Sequence, residues 1–487
     1  MTTTRRRAAF KNRVVALLGI FCLMVVVSEY RQVQRASAQG ANAPLRGGVD
    51  TAPEYEAKPM LLNAPTGQIF RTWARWVDDG GGTVLLASSP DGATWRTILQ
   101  IDPKDPKVKA ERGHVAVNEG GDIALAYRWT AGRDAKHIRL ARSLDAGKTW
   151  TIPADNLDAA GPASDPQVVW GSGRTVLVAW GDRRRGNRVS DVYVRRSPDA
   201  GATWEPERPM SPPVDEKGSL SVNPHLIGDG KGRFWLVWRF WRVGGSTLQL
   251  ARSEDNGRTW SPPQSVSGES RSVFGHSLER GSDNRLLLTW QDQKLEVADS
   301  PGRQSRVYAT ASKDGGISWS AVVEVDGLSP EARTHAVGPS SALTPSGEAW
   351  ITWNDARNGR NDVFVAHSRD GGATWGAPQR LDADGAGTAE SRSPQLAGSP
   401  DGRTVAVVWE DDRTGLNGIY GRIRSGGQWS AETQLARALP HKQGARRPVI
   451  VSTGRDAFYV AWEVWDHSRG RKSAPTGVDG VIFAPRP

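Results

Sequence analysis

The chain has 487 residues, a hydrophobic content of 38% and a formal net charge of +10. Seven basic residues and one acidic residue within positions 1–38 account for +6 of that charge. The remaining chain carries only about +4, which excludes a nucleic-acid-binding signature. The single cysteine, Cys22, lies in the same N-terminal segment, which excludes disulfides, a thiol nucleophile and cysteine metal ligands elsewhere.

The N-terminal segment has the features of an export signal. Basic residues precede an apolar run over Val14–Val27, and Ala36-Ser37-Ala38 has the small-x-small form of a cleavage site. Residues 1–38 are therefore predicted to be a signal peptide or an N-terminal membrane anchor, and the protein to be exported, periplasmic or secreted. If uncleaved, residues 14–27 would anchor it in the membrane. Residues 39–56 are predicted to form a linker or a closing strand.

A short pattern, S-x-D-x-G-x-T-W, returns along the chain at steps of 54–59 residues between its five full copies. Its aspartates, counting one copy that is a residue shorter, are Asp91, Asp145, Asp199, Asp255, Asp314 and Asp370. The Asp accepts hydrogen bonds from backbone N–H groups a few residues further along the chain. The Gly supplies a backbone conformation that other residues rarely adopt. The pattern predicts a structural turn between two strands, anchored by its Trp.

A second landmark is a Trp at the end of an apolar run, with a proline 14 residues upstream in most cases. The eight such tryptophans are Trp73, Trp129, Trp180, Trp238, Trp290, Trp353, Trp409 and Trp462. Each unit contains four short β-branched runs bounded by turns, which predicts four antiparallel strands. The sequence therefore predicts an all-β fold, a β-propeller of four-stranded antiparallel blades over residues 57–487, with eight blades, or seven if one unit is incomplete.

The repeated boxes resemble those of the Asp-box (bacterial neuraminidase repeat) family, whose best-known members are the sialidases. The resemblance covers nearly the whole chain after residue 57 and implies a propeller. It implies an active site on the face opposite the boxes, built from three arginines, a Tyr–Glu pair and an Asp. The family's F/Y-R-I-P motif is missing from the first inner strand, which begins Ala57-Lys58-Pro59. No sialidase catalytic residue is carried over, and the catalytic residues stay unassigned.

Residues that break the repeat are the candidate ligand-binding groups. Three units place an extra Trp three residues after the second-strand Trp, and these indoles would either stack on a sugar ring or pack under long loops. In a propeller the first strand of each blade lines a central channel. Polar groups at the starts of these inner strands would therefore converge near the mouth of that channel. The candidates are Trp76, Trp241, Trp465, Arg392, Arg446, Arg447, His114 and His276.

Other residues recur at equivalent positions of several units and are interpreted as structural. Asp182-Arg183, Asp355 with Arg357, and Asp411-Asp412-Arg413 recur after the second-strand Trp as Asp–Arg pairs.

Three hypotheses remain from the sequence. The first is an exported propeller that recognises a glycan or another extracytoplasmic ligand on the loop face. The others are a divergent exo-α-sialidase-type glycoside hydrolase and a protein-interaction scaffold. No cofactor, metal site or nucleic-acid partner is expected, and the protein is expected to be a monomer.

Overall fold

The computed structural model describes residues 54–485 with short gaps. The gaps are 78–80, 133–134, 187–188, 212–218, 243–244, 269–271, 282, 294–304, 330–331, 333, 437–442, 455 and 469–473. The regular elements of this described part are 31 β-strands without a helix, which confirms the predicted all-β class. The predicted export segment and most of the predicted linker lie outside the described residues.

The strands fall into groups that follow the sequence units. Units one to four contain β1 (Glu54–Asn63), β2 (Ile69–Val77), β3 (Gly82–Ser89), β4 (Arg96–Ile101); β5 (Val108–Val117), β6 (Ile123–Ala131), β7 (Lys136–Ser143); β8 (Ala163–Trp170), β9 (Val176–Asp182), β10 (Asp191–Ser197), β11 (Arg208–Pro209); β12 (Leu220–Gly228), β13 (Phe234–Arg242), β14 (Gly245–Ser253) and β15 (Gln264–Ser265). In unit two, a single bridge between Arg142 and Thr151 takes the place of a fourth strand.

The second half of the chain repeats the arrangement. Units five to eight contain β16 (Val273–Arg280), β17 (Leu286–Gln293), β18 (Ser305–Ser312), β19 (Val323–Glu324); β20 (Ala336–Leu343), β21 (Ala349–Asp355), β22 (Asp362–Ser368), β23 (Gln379–Arg380); β24 (Ser391–Gly398), β25 (Val405–Asp411), β26 (Gly418–Ser425), β27 (Gln428–Trp429), β28 (Thr433–Ala436); β29 (Gln443–Ser452), β30 (Phe458–Asp466) and β31 (Ala474–Phe483).

Within each unit, consecutive strands pair antiparallel, except that β28 of unit seven pairs with β26. One parallel bridge, Gly82 to Lys109, also joins units one and two. Glu54–Ala57 pair with β2 in the first sheet, and the last sheet has three described strands.

The apolar core lies between the sheets, because each unit shares a cluster of buried side chains with the next one. Trp238 of unit four, for example, packs with Ala179 and Val192 of unit three. Another cluster joins the last unit to the first through Ile69, Tyr459 and their neighbours. At this junction Arg71 also donates a hydrogen bond to the Tyr459 hydroxyl at 2.8 Å.

Every first strand carries a two-residue irregularity near its start, where the pairing register to the second strand shifts. The first bulge residue has a φ of 51–66° in seven units, and the second is proline in six of the eight. The seven left-handed residues are Arg112, Asp165, Asn223, Gly275, Gly338, Ser393 and Arg447. A β-bulge re-aims side chains and bends the strand. These positions therefore form a repeated feature, called here the bulge column.

The bulge corrects the assignment of unit two. There the register shift falls between Glu111 and His114, so Gly113 occupies the proline position. Tyr127, which is 1% exposed, then occupies the place of the buried column tryptophan, and Trp129 lies two residues beyond it and is only partly buried. The assignment of Trp129 from the sequence was wrong in this unit. Tyr127 and Trp129 are two residues apart on one strand, so their side chains lie on the same face and the spacing alone does not distinguish them.

The repeated S-x-D-x-G-x-T-W pattern forms the expected turns between the third and fourth strands. In the box after β10, the Ser197 hydroxyl donates to Asp199 at 2.8 Å, and the N–H and hydroxyl of Thr203 donate to the two Asp199 oxygens at 2.8 and 2.6 Å. Burial opposes ionisation of Asp199, but the hydrogen bonds from Thr203 and Ser197 outweigh it and hold its pKa at about 2.

Replacing Asp199 with alanine should lower the free energy of unfolding by about 1–2 kcal/mol, because three hydrogen bonds of the turn disappear. Thermal or urea unfolding of the purified protein measures the effect. Asp199→Asn retains the side-chain carbonyl and should cost less than the alanine variant. An unchanged unfolding midpoint in Asp199→Ala would contradict a structural role for the box.

Candidate functional site

A cavity of about 300 Å³ lies where the first strands of units one, seven and eight approach each other. Its lining combines charged, amide and hydroxyl groups with proline and valine side chains. The lining residues are Pro59, Ser393, Gln395, Arg447, Pro448, Val449 and Glu463. Pro59, Ser393, Arg447 and Pro448 are bulge residues, so the strand irregularity itself builds the wall of the cavity.

Arg447 is the charged group that the bulge presents to this cavity. Its backbone N–H donates to Glu410 Oε2 at 2.8 Å, and its guanidinium lies 3.4 Å from Glu463 Oε2. The Arg447 side chain is 39% exposed, whereas that of Glu463 is 1% exposed. The arginine is therefore held at its backbone and at its guanidinium, while its side chain as a whole stays partly exposed at the cavity.

Two buried glutamates stand behind the arginine. They occupy the same register position in neighbouring units, on the second strand opposite the residue before the bulge. Around the eight units this position holds Ala74, Arg128, Gly181, Arg239, Gln291, Asn354, Glu410 and Glu463. Units seven and eight thus depart from the column by placing carboxylates there.

The three candidate tryptophans do not form an exposed stacking surface. Trp76 and Trp465 are 7% and 4% exposed, so the structure supports the packing alternative for both, and Trp241 is partly exposed. The Trp465 indole N–H donates to Glu463 Oε2 at 2.9 Å. Trp465 therefore orients a cavity carboxylate instead of offering its ring to a ligand.

The structure brings two of the three candidate arginines together. Arg446 and Arg447 lie over the Trp465 ring, with guanidinium carbons 5.0 and 5.4 Å from its centroid. Arg446 also approaches Glu410 at 3.8 Å. The side chain of Arg392 pairs instead with Glu390 at 2.8 Å.

The candidate histidines belong to other units. His114 lies on β5 and His276 on β16, and burial lowers the pKa of each to about 3, with the nearby charge of His225 as the second cause. His225 on β12 has its pKa lowered by burial to about 4. Sequence reasoning missed His225, although its position directly after the bulge proline Pro224 was a usable signal.

The Asp–Arg pairs are scaffold, as interpreted, with one correction. In unit three the Asp182 carboxylate pairs with Arg184 at 2.6 Å, the residue that follows Arg183. Arg184 also stacks on Tyr193, and the same arrangement recurs around Asp355 and Asp411. A buried carboxylate thus fixes an arginine over the third-strand aromatic ring in each of these units.

A Tyr–Glu pair does exist, but it lies on the outer strands of unit five. The Tyr308 hydroxyl donates to Glu324 Oε2 at 2.9 Å across β18 and β19. Burial and the neighbouring Glu324 charge raise the pKa of Tyr308. A raised pKa disfavours the phenolate, so this pair lacks the activation that a nucleophile needs.

Three carboxylates of unit six lie close enough to hold a metal ion, namely Asp362, Asp382 and Asp384, whose ligand atoms are within 4.8 Å of one another. Arg380 contacts all three, and backbone N–H groups of Val363 and Gly387 also donate to the cluster. Burial and the hydrogen bond with Asp384 raise the pKa of Asp382. This group is already occupied by protein donors, and the expected absence of a metal stays a prediction.

Within the described residues no helix is long and apolar enough to cross a membrane. The run over residues 14–27 lies outside that part.

Comparison with known proteins gives a family and several distant structural similarities. Residues 67–282 match the model of the BNR repeat-like domain. A sialidase from Bacteroides fragilis is 27% identical over an alignment of 217 positions, and the match covers 38% of this chain and 37% of the sialidase. The match therefore spans little more than a third of that relative.

Among solved structures, a Dyadobacter fermentans protein of unknown function is 17% identical and covers 78% of this chain and 96% of its own, with a TM-score of 0.41. A PL25 ulvan lyase is 12% identical over 77% of this chain and 91% of its own (TM-score 0.48). The GH93 α-L-arabinofuranosidase of Fusarium graminearum is 15% identical over 66% of this chain and 94% of its own, with a TM-score of 0.39.

Three findings converge on one family: the repeated Asp-box turns, the matched domain model and the sialidase relative. The boxes are local turns repeated across the chain, and the domain match covers the first units continuously. Together they support a BNR/Asp-box, sialidase-like family, to which residues 67–282 are matched directly.

Proposed function

We propose that this protein is an exported, sialidase-like Asp-box propeller of eight blades that binds a carbohydrate in the cavity at Arg447 without cleaving it. The observation that carries the proposal is the cavity itself. It combines a partly exposed arginine side chain and a buried carboxylate with apolar proline and valine walls. A few convergent polar groups on an apolar lining are typical of small-ligand sites, and about 300 Å³ is at the small end of their range.

The eight-bladed arrangement is supported by the contacts between units. Each unit shares a buried cluster with the next, and the cluster around Tyr459 joins unit eight to unit one. Unit eight, with three described strands, is the unit on which the seven-bladed alternative depends. Export is supported by the basic and apolar pattern of residues 1–38, which leaves the N-terminal anchor as the alternative to a cleaved signal.

Binding is preferred to hydrolysis because the groups at the cavity are already paired. Glu463 accepts from Trp465 and contacts Arg447, and Glu410 accepts the Arg447 N–H and faces Arg446. A general acid needs a carboxyl group free to exchange a proton with the substrate. None of the described residues that line the cavity is a tyrosine.

A divergent exo-α-sialidase-type hydrolase is the second candidate. It is favoured by one observation, the placement of two glutamates in neighbouring units beside two arginines. Paired carboxylates are the usual machinery of glycoside hydrolysis, although sialidases use a Tyr nucleophile instead.

The test is to screen the purified full-length protein on a glycan array and, in parallel, against fluorogenic glycosides that include a sialoside. We expect saturable glycan binding without turnover. Arg447→Ala should weaken binding about tenfold or more, because it removes the open donor group of the cavity. Arg403→Ala is the matched control, since its side chain is 82% exposed on the turn between β24 and β25.

Turnover that disappears in Arg447→Ala would replace the binding proposal with the hydrolase. Glycan binding that is equally strong in Arg447→Ala and Arg403→Ala would refute the cavity as the site. Far-UV circular dichroism and the melting temperature of each variant distinguish loss of binding from loss of fold.

A further inference from the structure

Two histidines connect neighbouring sheets along their first strands. His114 of β5 accepts a hydrogen bond at its Nδ1 from the backbone N–H of Val168 in β8, at 3.2 Å. His225 of β12 accepts in the same way from the N–H of Leu278 in β16, also at 3.2 Å. Both follow the bulge directly, and each bond joins one unit to the next.

These bonds dictate the protonation state of the two rings. An imidazole nitrogen that accepts from a backbone N–H must carry a lone pair, so the proton of each neutral ring is on Nε2. A doubly protonated ring has donors at both nitrogens and no acceptor. Protonation therefore removes each of these contacts between sheets and places two N–H groups against each other.

Further along the ring the same contact is made by a group that does not titrate. The N–H of Leu396 in β24 donates to the hydroxyl of Ser340 in β20 at 3.1 Å. Ser340, like the two histidines, directly follows the bulge of its unit. The protein thus contains both a titrating and a non-titrating version of one contact.

The charged surroundings do not favour an imidazolium. Arg112 pairs with Asp165, and Arg128 pairs with Glu111, so these groups of β5, β6 and β8 neutralise each other. The rings of His114 and His276 are close enough to His225 for their charges to interact with it. The charge of Arg239 in β13 acts on His276 in the same direction, against protonation.

The carboxyl group of Glu279 in β16 does not supply the missing negative charge. It is hydrogen-bonded by the hydroxyls of Ser277 and Ser341. Burial raises its pKa, which favours the neutral acid.

We propose that His114 and His225 form an acid-sensitive clasp between sheets, which holds the inner strands together at neutral pH and releases them when the rings are protonated. The sign follows from burial. The pKa values of His114 and His225 are lowered from 6.5 to about 3 and about 4 in the folded protein. Their contribution to stability is complete above pH 6.5 and declines as the pH falls from there towards the folded values.

The first test compares melting temperatures of the full-length protein at pH 7.5 and pH 5.0. His114→Asn and His225→Asn place an amide oxygen near the position of Nδ1, which accepts at both pH values. The wild type should lose ~5 °C more than the double variant on acidification. Ser340→Ala is the matched control, because it removes the corresponding contact made by a hydroxyl that does not titrate. Its loss on acidification should equal that of the wild type.

The second test needs no variant and stays valid if the double variant fails to fold. Amide hydrogen exchange of the wild type, corrected for intrinsic rates, follows Val168, Leu278 and Leu396 between pH 7.5 and 5.0. Protection of Val168 and Leu278 should fall about tenfold relative to Leu396, which donates to a hydroxyl. Equal loss of protection at all three amides, or an unchanged acid sensitivity in the double variant, would overturn the clasp.

Discussion

Replacing Asp355 with alanine should lower the free energy of unfolding by about 3–5 kcal/mol. Asp355 is fully buried. It accepts from the Trp353 indole N–H at 2.9 Å and from Arg357 at 2.6 and 2.8 Å. Its removal leaves the buried Trp353 indole N–H without an acceptor. It also removes the ion-pair partner of Arg357, whose Nη2 keeps only the Asp326 carbonyl oxygen at 2.6 Å. Both losses are costly in a buried setting.

Asp412→Ala provides the comparison, because the Asp412 side chain is 32% exposed and pairs with the half-exposed Arg360. Exposed pairs of this kind contribute about 1 kcal/mol or less. Urea unfolding of both variants, followed by tryptophan fluorescence, gives the two differences. Equal losses in Asp355→Ala and Asp412→Ala would contradict the role assigned to the buried Asp–Arg–aromatic arrangement.

Replacing Glu463 with alanine should lower the free energy of unfolding by about 2–4 kcal/mol and also abolish glycan binding at the cavity. The carboxylate is the acceptor for the Trp465 indole N–H and the ion-pair partner of Arg447. Without it, the indole loses its hydrogen bond and the guanidinium loses the contact that positions it at the cavity wall.

Glu463→Gln separates the two consequences. The amide oxygen still accepts from Trp465, so most of the stability should return, while the charge facing Arg447 stays absent. Binding should then be weakened about tenfold with a small change in the unfolding midpoint. Full glycan binding by Glu463→Ala, measured beside its unfolding curve, would show that the cavity carboxylate has no part in recognition.

The repeat and its turns could be predicted because their chemistry is local. An Asp, a Gly and a Trp at fixed spacing are sufficient to form the box, and the box around Asp199 has the hydrogen bonds expected from its residue types. The buried tryptophan that recurs on the second strand could be predicted for the same reason in most units. It was misread in unit two, where no proline marks the bulge and Trp129 competes with Tyr127.

The candidate site was harder to predict, because it depends on the register between strands. Arg446 and Arg447 were identified from their place before a proline. Glu410 and Glu463 were available in the sequence, but only the pairing of β24 with β25 and of β29 with β30 aligns them. The sequence left open whether Trp76 and Trp465 are exposed or packed. Their burial decides this question, and burial depends on the three-dimensional structure and cannot be read from residue spacing.

The bulge column has a consequence for how this protein can change. A left-handed backbone costs a non-glycine residue roughly 1 kcal/mol, so glycine is tolerated at every one of these positions and already occupies two of them, Gly275 and Gly338. Other side chains can be exchanged there at a similar small cost, because the buried clusters lie between the sheets and not at the bulge. New ligand preferences can therefore arise by exchange of side chains in the bulge column while the sheets remain unchanged.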